Sequence, residues 1–261
     1  MMSAWRYDVA TTWVLWRRDL IRFLKQPSRI VGAMGQPLIF WFVIGAGLSP
    51  NFEISNLEMD YQAYFYPGVV LMVLLFAAIF SSMSVIEDRR IGFLQCVMAG
   101  PGSRLSLVLG KCFGASSVAL IQALLFVALA PAAGFSFADT DWLLLGLSMG
   151  LAALGLTAFG FFMAWLLNNV QAYHAVQMVL LVPLWMISGA MFPPQPDSPV
   201  FDALMTYNPI AHAVSTVRHA MYSGMAPEST VVSSPWVGIA VLAAFALISL
   251  VAASRVCATR R

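Results

Sequence analysis

Residues 66–90 read YPGVVLMVLLFAAIFSSMSVIEDRR, and the fold of the chain turns on them. From Tyr66 to Ile86 no side chain is formally charged, a run of about the length, roughly 20 residues, that a helix needs to cross a bilayer core. Glu87, Asp88, Arg89 and Arg90 then end it abruptly. The rest of the chain is built the same way. Of its 261 residues 60% are hydrophobic and only 10% charged, where an ordinary soluble domain spends about a quarter on charge. With mean hydropathy at +0.81 the chain is an integral membrane protein; collagen, coiled coil, disordered tail and nucleic-acid module are excluded.

Working outward, five more uncharged runs appear at 30–48, 107–134, 142–167, 173–192 and 236–254, predicting six spans in an all-α fold forming one domain over 1–261. Lys111 marks the near end of the third run, and Pro131 with Gly134 the far end. Only Asn168 to Ala172 separate the fourth and fifth runs, so these two spans are expected to be antiparallel neighbours.

Positively charged short loops stay in the cytoplasm. The segment before the first run holds Arg6, Arg17, Arg18, Arg22, Lys25 and Arg29; the second-to-third loop holds Arg89, Arg90, Arg104 and Lys111; the C-terminal end holds Arg255, Arg260 and Arg261. That places thirteen of the 14 Lys and Arg on one side and only Arg218 on the other, where Glu53, Glu58, Asp60, Asp139 and Asp141 lie. Both termini are therefore expected in the cytoplasm, as an even span number requires. The charged first thirty residues do not read as a cleaved secretory signal, so the first span is expected to be retained.

Three segments outside the spans carry pattern. Over 5–25, Trp5, Val9, Trp13, Trp16, Leu20, Phe23 and Leu24 recur at steps of three and four, with arginines between them. This predicts an interfacial helix with Trp13 and Trp16 at headgroup depth, Arg17, Arg18, Arg22 and Lys25 facing water and lipid phosphate, and Pro27 as its stop. The loop 87–111 contains Ile91, Phe93, Leu94, Val97 and Met98 at near-helical spacing, halted by Gly100-Pro101-Gly102: a short amphipathic helix that either lies against the protein's own spans or docks a separate protein. The outer loop 193–235 shows NPIAHAVSTVRHAMYSG, where Asn208 caps, Pro209 starts and Gly224 stops a helix striped by Ile210, Val214, Val217 and Met221. That helix is expected either to lie on the leaflet or to re-enter it, with Arg218 facing Asp202, lipid phosphate or solvent.

Catalytic patterns are missing. The Gly110-Lys111 pair lacks the upstream glycine of a phosphate-binding loop, no run carries a central carboxylate for ion coupling, and His174, His212 and His219 are too dispersed for zinc. The serines in the runs lack an activating His or Asp nearby, so helix packing is their default role. Cys96, Cys112 and Cys257 are expected to be free thiols. No catalytic residue, metal site or cofactor is assigned to the chain.

Six spans without an energy source look like half of a machine driven by another polypeptide. The chain resembles the permease subunits of ABC-2 type transporters, the group that includes drug, Nod-factor and polysaccharide exporters. The resemblance rests on YFYPGVV (64–70), DRRIGFLQCVMAGPGSRLSLVLGK (88–111), and SGAMFPP with NPIAHAVSTVR (188–194 and 208–218). Gln95 stands where the family has Glu, and Gly100-Pro101 where it has Thr-Pro. The resemblance implies a bacterial inner-membrane exporter of a drug, lipid or secondary metabolite, or alternatively of a lipid-linked glycan. It also implies a homodimer of permeases, bathed in membrane lipid, with two cytoplasmic ATPase subunits that bind ATP and Mg. Contacts to the ATPase fall on Glu87, Asp88, Arg89, Arg90, Gly92, Phe93, Leu94 and Gln95. Gln36, Trp41, Gln122, Gln177, Met178, Trp185 and Met186, polar, aromatic or flexible, are pathway candidates, each also able simply to pack. A membrane scaffold or sensor recruiting a cytoplasmic protein is the reading outside this class.

Overall fold

The computed structural model describes residues 4–48, 60–192, 199–222 and 234–259. Ten α-helices follow in order among these residues: α1 Ala4–Leu24, α2 Pro27–Leu48, α3 Tyr61–Arg90, α4 Phe93–Met98, α5 Arg104–Val127, α6 Trp142–Leu167, α7 Val170–Trp185, α8 Pro199–Thr206, α9 Pro209–Met221 and α10 Pro235–Thr259. Four are long and apolar enough to cross a membrane, α3, α5, α6 and α10, and α7 makes a fifth when its extension to Ala190 is included. The described apolar part of α2, Met34–Gly47, is shorter.

The termini of these helices follow from local chemistry. Pro27 both stops α1 and opens α2, its fixed φ and missing N–H suiting a first helical position. Asp141 caps α6 by accepting from the Leu144 amide at 3.0 Å. Asn168 then takes a left-handed φ of 47°, and Asn169 caps α7 through the Ala172 amide at 3.0 Å. This is the tight antiparallel connection expected from sequence, and α6 and α7 pack together. The third apolar run is shorter as a helix than as a string: α5 stops at Val127 and a 3-10 turn, Ala130–Ala133, closes on Gly134 at φ 88°.

Helix α3 is the central post, buried nearly all round and packed by α2, α5, α6, α7 and α9. Its first turns clamp the far end of α7, which continues as a π-helical turn, Met186–Ala190, with Gly189 at φ 77°. The Tyr61 hydroxyl donates to Met191 O at 3.0 Å, the Tyr64 hydroxyl to Gly189 O at 3.1 Å, and Trp185 Nε1 to Gly68 O at 2.9 Å. Gly68 is required here, because a Cβ would stand 2.9 Å from the Ala190 backbone.

The outer-loop helix corrects one alternative. Asn208 and Pro209 start α9 as expected, the Asn208 side chain accepting from the Ile210 amide at 3.0 Å. Yet α9 does not lie on a surface: residues 210–218 are all buried against α3, α6, α10 and the π turn. Nor does Arg218 face Asp202, lipid or water. It is 1% exposed, donates to Gly189 O at 3.1 Å and Tyr64 O at 3.4 Å, and lies over the Tyr64 ring. His212 is buried too, with Nε2 2.8 Å from Thr206 O. Glu53, Glu58, the 193–198 part of the outer loop, the Gly224 stop, Arg260 and Arg261 lie outside the described residues.

Candidate functional site

Where α1 passes the foot of α3 and the start of α5, three cations meet three carboxylates. Arg18 binds Asp88 bidentately, Nη2 to Oδ1 at 2.7 Å and Nη1 to Oδ2 at 2.8 Å. Lys111 Nζ donates to Asp88 Oδ2 at 2.6 Å, to Asp19 Oδ2 at 2.8 Å and to Ser84 Oγ at 3.3 Å. Arg22 closes the ring with Glu87 at 3.1 Å and Asp88 at 3.6 Å. The Asp88 and Lys111 side chains are 0% and 1% exposed, Asp19 is nearly covered, and only Arg18, Arg22 and Glu87 reach solvent. In such a setting each charge is tolerable only because it is paired and hydrogen-bonded.

This geometry corrects two expectations. Arg17 and Lys25 are exposed, but Arg18 and Arg22, each about a third exposed, turn their guanidinium groups to the carboxylates of α3 rather than outward to lipid phosphate. Asp88 has no free surface with which to touch another protein. Asp19 was passed over in the sequence because it sits in an otherwise basic helix, and Lys111 because it reads as a simple end marker. The signal for Lys111 was a lone cation on a face of α5 made of small and apolar residues, and for Asp19 a carboxylate on the same face of α1 as Asp8, eleven residues before it.

Helix α1 is docked along α5, a second feature with a missed signature. Gly102, Ser106, Gly110 and Gly114 recur every fourth residue, the small-residue spacing that lets helices approach closely. A Cβ on Gly110 would stand 2.8 Å from Leu15 Cβ and 3.0 Å from Thr12 O; one on Gly114 would press on Asp19. Thr12 Oγ1 donates to Ser106 O at 3.2 Å, Trp16 Nε1 to Ser117 Oγ at 2.9 Å, and the Ser103 amide to Asp8 Oδ1 at 2.6 Å. Trp13 stacks on Trp16 at 4.7 Å and remains exposed.

Helix α4 is reached through Gly92, whose φ of 79° favours glycine. It is only six residues long, with Leu94 buried and Gln95 and Cys96 exposed. Its Phe93 ring lies 3.8 Å beneath the Arg18 guanidinium carbon, so α4 touches the ion cluster directly. Arg89 turns the other way, donating to Trp165 O at 3.3 Å and lying over the Trp165 ring at the end of α6, while Arg90 is exposed. Gln95 Nε2 donates to Arg89 O at 3.2 Å. Arg104 ties α5 to the end of α10 through Cys257 O at 2.6 Å and Ala258 O at 2.9 Å.

Above the cluster lies a cavity of about 370 Å³ between α1, α2, α3 and α5. Gln36 and Gln122, two of the seven pathway candidates from sequence, both line it, together with Asp19, Arg22, Phe80 and Ser81. The other five candidates lie elsewhere. Trp41 is buried, donates to Gln62 O at 3.2 Å and meets Tyr66 edge-on; Trp185 holds Gly68; both pack the fold. Gln177 is buried with neither amide atom partnered, Met178 is half-buried and Met186 exposed. Among the described residues no three His, Cys, Asp or Glu converge as metal ligands.

The sequence profile of the ABC-2 type transporter family matches residues 10–222. A protein of Cyanophora paradoxa named as a transport permease, ycf38, is 28% identical over 215 residues, covering 81% of this chain and 74% of that one. A second ycf38, of Pyropia yezoensis, is 24% identical over 212 residues, 80% of this chain and 72% of that one. Nodulation protein J of Rhizobium leguminosarum bv. trifolii is 27% identical over 216 residues, 80% of each chain. The matched stretch runs from within α1, through the ion cluster and the cavity, to the end of α9, and on that footing the chain belongs to the ABC-2 type transporter family.

Proposed function

We propose that the chain is the membrane subunit of an ATP-driven exporter in a bacterial inner membrane, crossing it six times with both termini in the cytoplasm. In this reading it works as a homodimer with two cytoplasmic ATPase subunits, which hold ATP and Mg. The supporting observation is the Phe93 ring under Arg18. A push on α4 reaches Arg18, hence Asp88 in α3 and Lys111 in α5, without crossing a flexible segment. Asp88 then acts as a transmitter, and direct contact with the ATPase falls to the exposed Arg90, Gln95 and Cys96 surface. Motion of α3 and α5 re-shapes the pathway in a two-state exchange of access.

The cargo in this reading is a hydrophobic or amphipathic drug, lipid or secondary metabolite. A lipo-oligosaccharide is the second reading, favoured by the relatives named Nodulation protein J.

The test is to purify the tagged chain from its native membrane, identify its partners by mass spectrometry and assay ATP hydrolysis. A stoichiometric ATPase with vanadate-sensitive turnover is expected, and Phe93→Ala is expected to keep the complex together while uncoupling hydrolysis from cargo. A chain recovered with no NTPase moves the reading to a scaffold or sensor.

A further inference from the structure

We infer that the cavity between α1, α2, α3 and α5 is a binding site for an electrically neutral amphipath carrying hydroxyl or amide groups. Three polar side chains from three helices meet there unpartnered. Gln36 of α2, Ser81 of α3 and Gln122 of α5 line the space, and among the described residues none of the three side chains has a hydrogen-bond partner. Gln122 is the sharpest case: it is 4% exposed and its carboxamide oxygen has no partner within the chain, so turning the carboxamide over would bring that oxygen to the space. Orphan polar groups at membrane depth are costly, and a helix bundle normally pairs them. Three around one space, the exposed Gln36, the half-buried Ser81 and the buried Gln122, with none paired to another, mark a surface made to be completed from outside the chain.

The charge of the ligand follows from the cluster below. The charged residues on the wall, Asp19 and Arg22, are of opposite sign and already engaged, Asp19 by Lys111 and Arg22 by Glu87. The cluster balances three cations against three carboxylates, so a net charge beside it, in a medium of low dielectric, would meet no spare counter-charge. Carboxamides and a hydroxyl instead offer both donors and acceptors, a carboxamide presenting either face by turning over. Hydroxyl and amide groups answer that set. Between the cluster and Gln122, about 16 Å apart along α5, the wall is apolar, with Phe80, Ala77, Ala115 and Val118 to receive a hydrocarbon portion. A volume of about 370 Å³ falls within the usual range for drug-sized ligands.

This refines the transport reading and rests on it only for calling the ligand cargo; occupancy needs neither nucleotide nor ATPase. The purified chain in lipid nanodiscs is therefore photolabelled, without ATPase, by octyl glucoside carrying a diazirine at the chain end, at sub-micellar concentration. Unlabelled octyl glucoside, octyltrimethylammonium and octyl phosphate serve as competitors. Cross-links are expected on residues 77–84 of α3 and 115–122 of α5. Octyl glucoside is expected to displace them at least tenfold better than either charged competitor. Gln122→Leu and, separately, the milder Ser81→Ala are each expected to weaken displacement by roughly threefold to tenfold, as for the loss of one buried hydrogen bond. Cross-links confined to lipid-facing residues, no saturable label because only water fills the space, or equal displacement by the charged competitors overturns the inference. Should Gln122→Leu fail to insert, the competitor ranking on the native chain and the Ser81→Ala result decide. A negative result leaves the exporter reading standing, and recovery of the chain without an ATPase leaves the site standing.

Discussion

Replacing Asp88 by Asn removes one charge from a network that is balanced only as a whole. Asp88 is fully buried and holds Arg18 through two bonds and Lys111 through one. Breaking a buried ion pair from one side costs about 3–5 kcal/mol, because the remaining charge stays desolvated and unpaired. Here Lys111 keeps Asp19 at 2.8 Å, and Arg18 is 29% exposed, so water screens part of the loss. The low end, about 3 kcal/mol, is the expected cost of Asp88→Asn. Lys111→Met strips a cation from the same core and is expected to cost a similar amount. Combined, the two changes leave Arg18 with Asp19 and Arg22 with Glu87, again in balance. The double variant is therefore expected to be better than the sum of the singles by about 2 kcal/mol or more, within the range of coupling between residues in direct contact. Reversible unfolding in mixed detergent micelles across the four proteins measures that difference. Single effects that add within about 0.5 kcal/mol, or an Asp88→Asn cost below about 1 kcal/mol, would refute the account of a closed, buried network.

Other perturbations probe the rest of the site. Gly110→Leu puts a branched side chain where even a Cβ meets Leu15 and Thr12, and is expected to detach α1, read as new protease cleavage at Arg17 or Arg18 with α3 to α10 still folded. The Ser103 amide and hydroxyl hold the Asp8 carboxyl below its ordinary range. A depressed carboxylate stabilises above the unfolded pKa of about 3.9 and stops doing so as pH falls through the folded value, so α1 is expected to loosen only below about pH 4, with Asp8→Asn loosening it at neutral pH. Hydrogen exchange over residues 4–12 reads both. Arg218→Leu removes the donor shared by Gly189 O and Tyr64 O, leaving Gly189 O with the Tyr64 hydroxyl as its remaining side-chain partner at the clamp. A loss of about 1–3 kcal/mol is expected in the same unfolding assay.

The apolar spans, the cap at Asn208 and the short helix α4 were legible because each rests on a local rule: run length, a side chain reaching its own helix end, or a periodic face. The ion cluster was not. Arg18, Asp88 and Lys111 are far apart in sequence, and in each segment the charge reads as an ordinary helix-end or surface residue. Only the tertiary crossing of α1 with α3 and α5 turns them inward. Arg218 misled for the same reason: an amphipathic stripe shows which face is apolar but not whether the polar face also finds walls. Of the pathway candidates, Gln36 and Gln122 came together because uncharged polar residues in spans have few places to go. Trp41 and Trp185 met backbone carbonyls instead, as buried indoles usually do.

Helix α1 is held by two different things, and they need not agree. The stripe Gly102, Ser106, Gly110 and Gly114 repeats every fourth residue, so α1 shifted by one turn, about 5.4 Å, would still meet small residues. Packing alone leaves that register open. The ion pairs do not, since Arg18 with Asp88 and Lys111 with Asp19 fit at one position only. Buried ion pairs are a poor source of stability compared with apolar packing of the same volume, but they are well suited to choosing among near-equal registers. The two roles separate in one experiment. In a background with Cys96, Cys112 and Cys257 changed to Ala, Thr12→Cys and Ser106→Cys face one another across the α1–α5 contact, where Thr12 Oγ1 donates to the Ser106 backbone O, and are expected to cross-link. Adding Asp88→Asn with Lys111→Met keeps the charge balance, yet the cross-linking rate is expected to fall several-fold as α1 samples the neighbouring register. An unchanged rate would mean that the small-residue stripe fixes the register by shape, and that the buried charges serve something other than position.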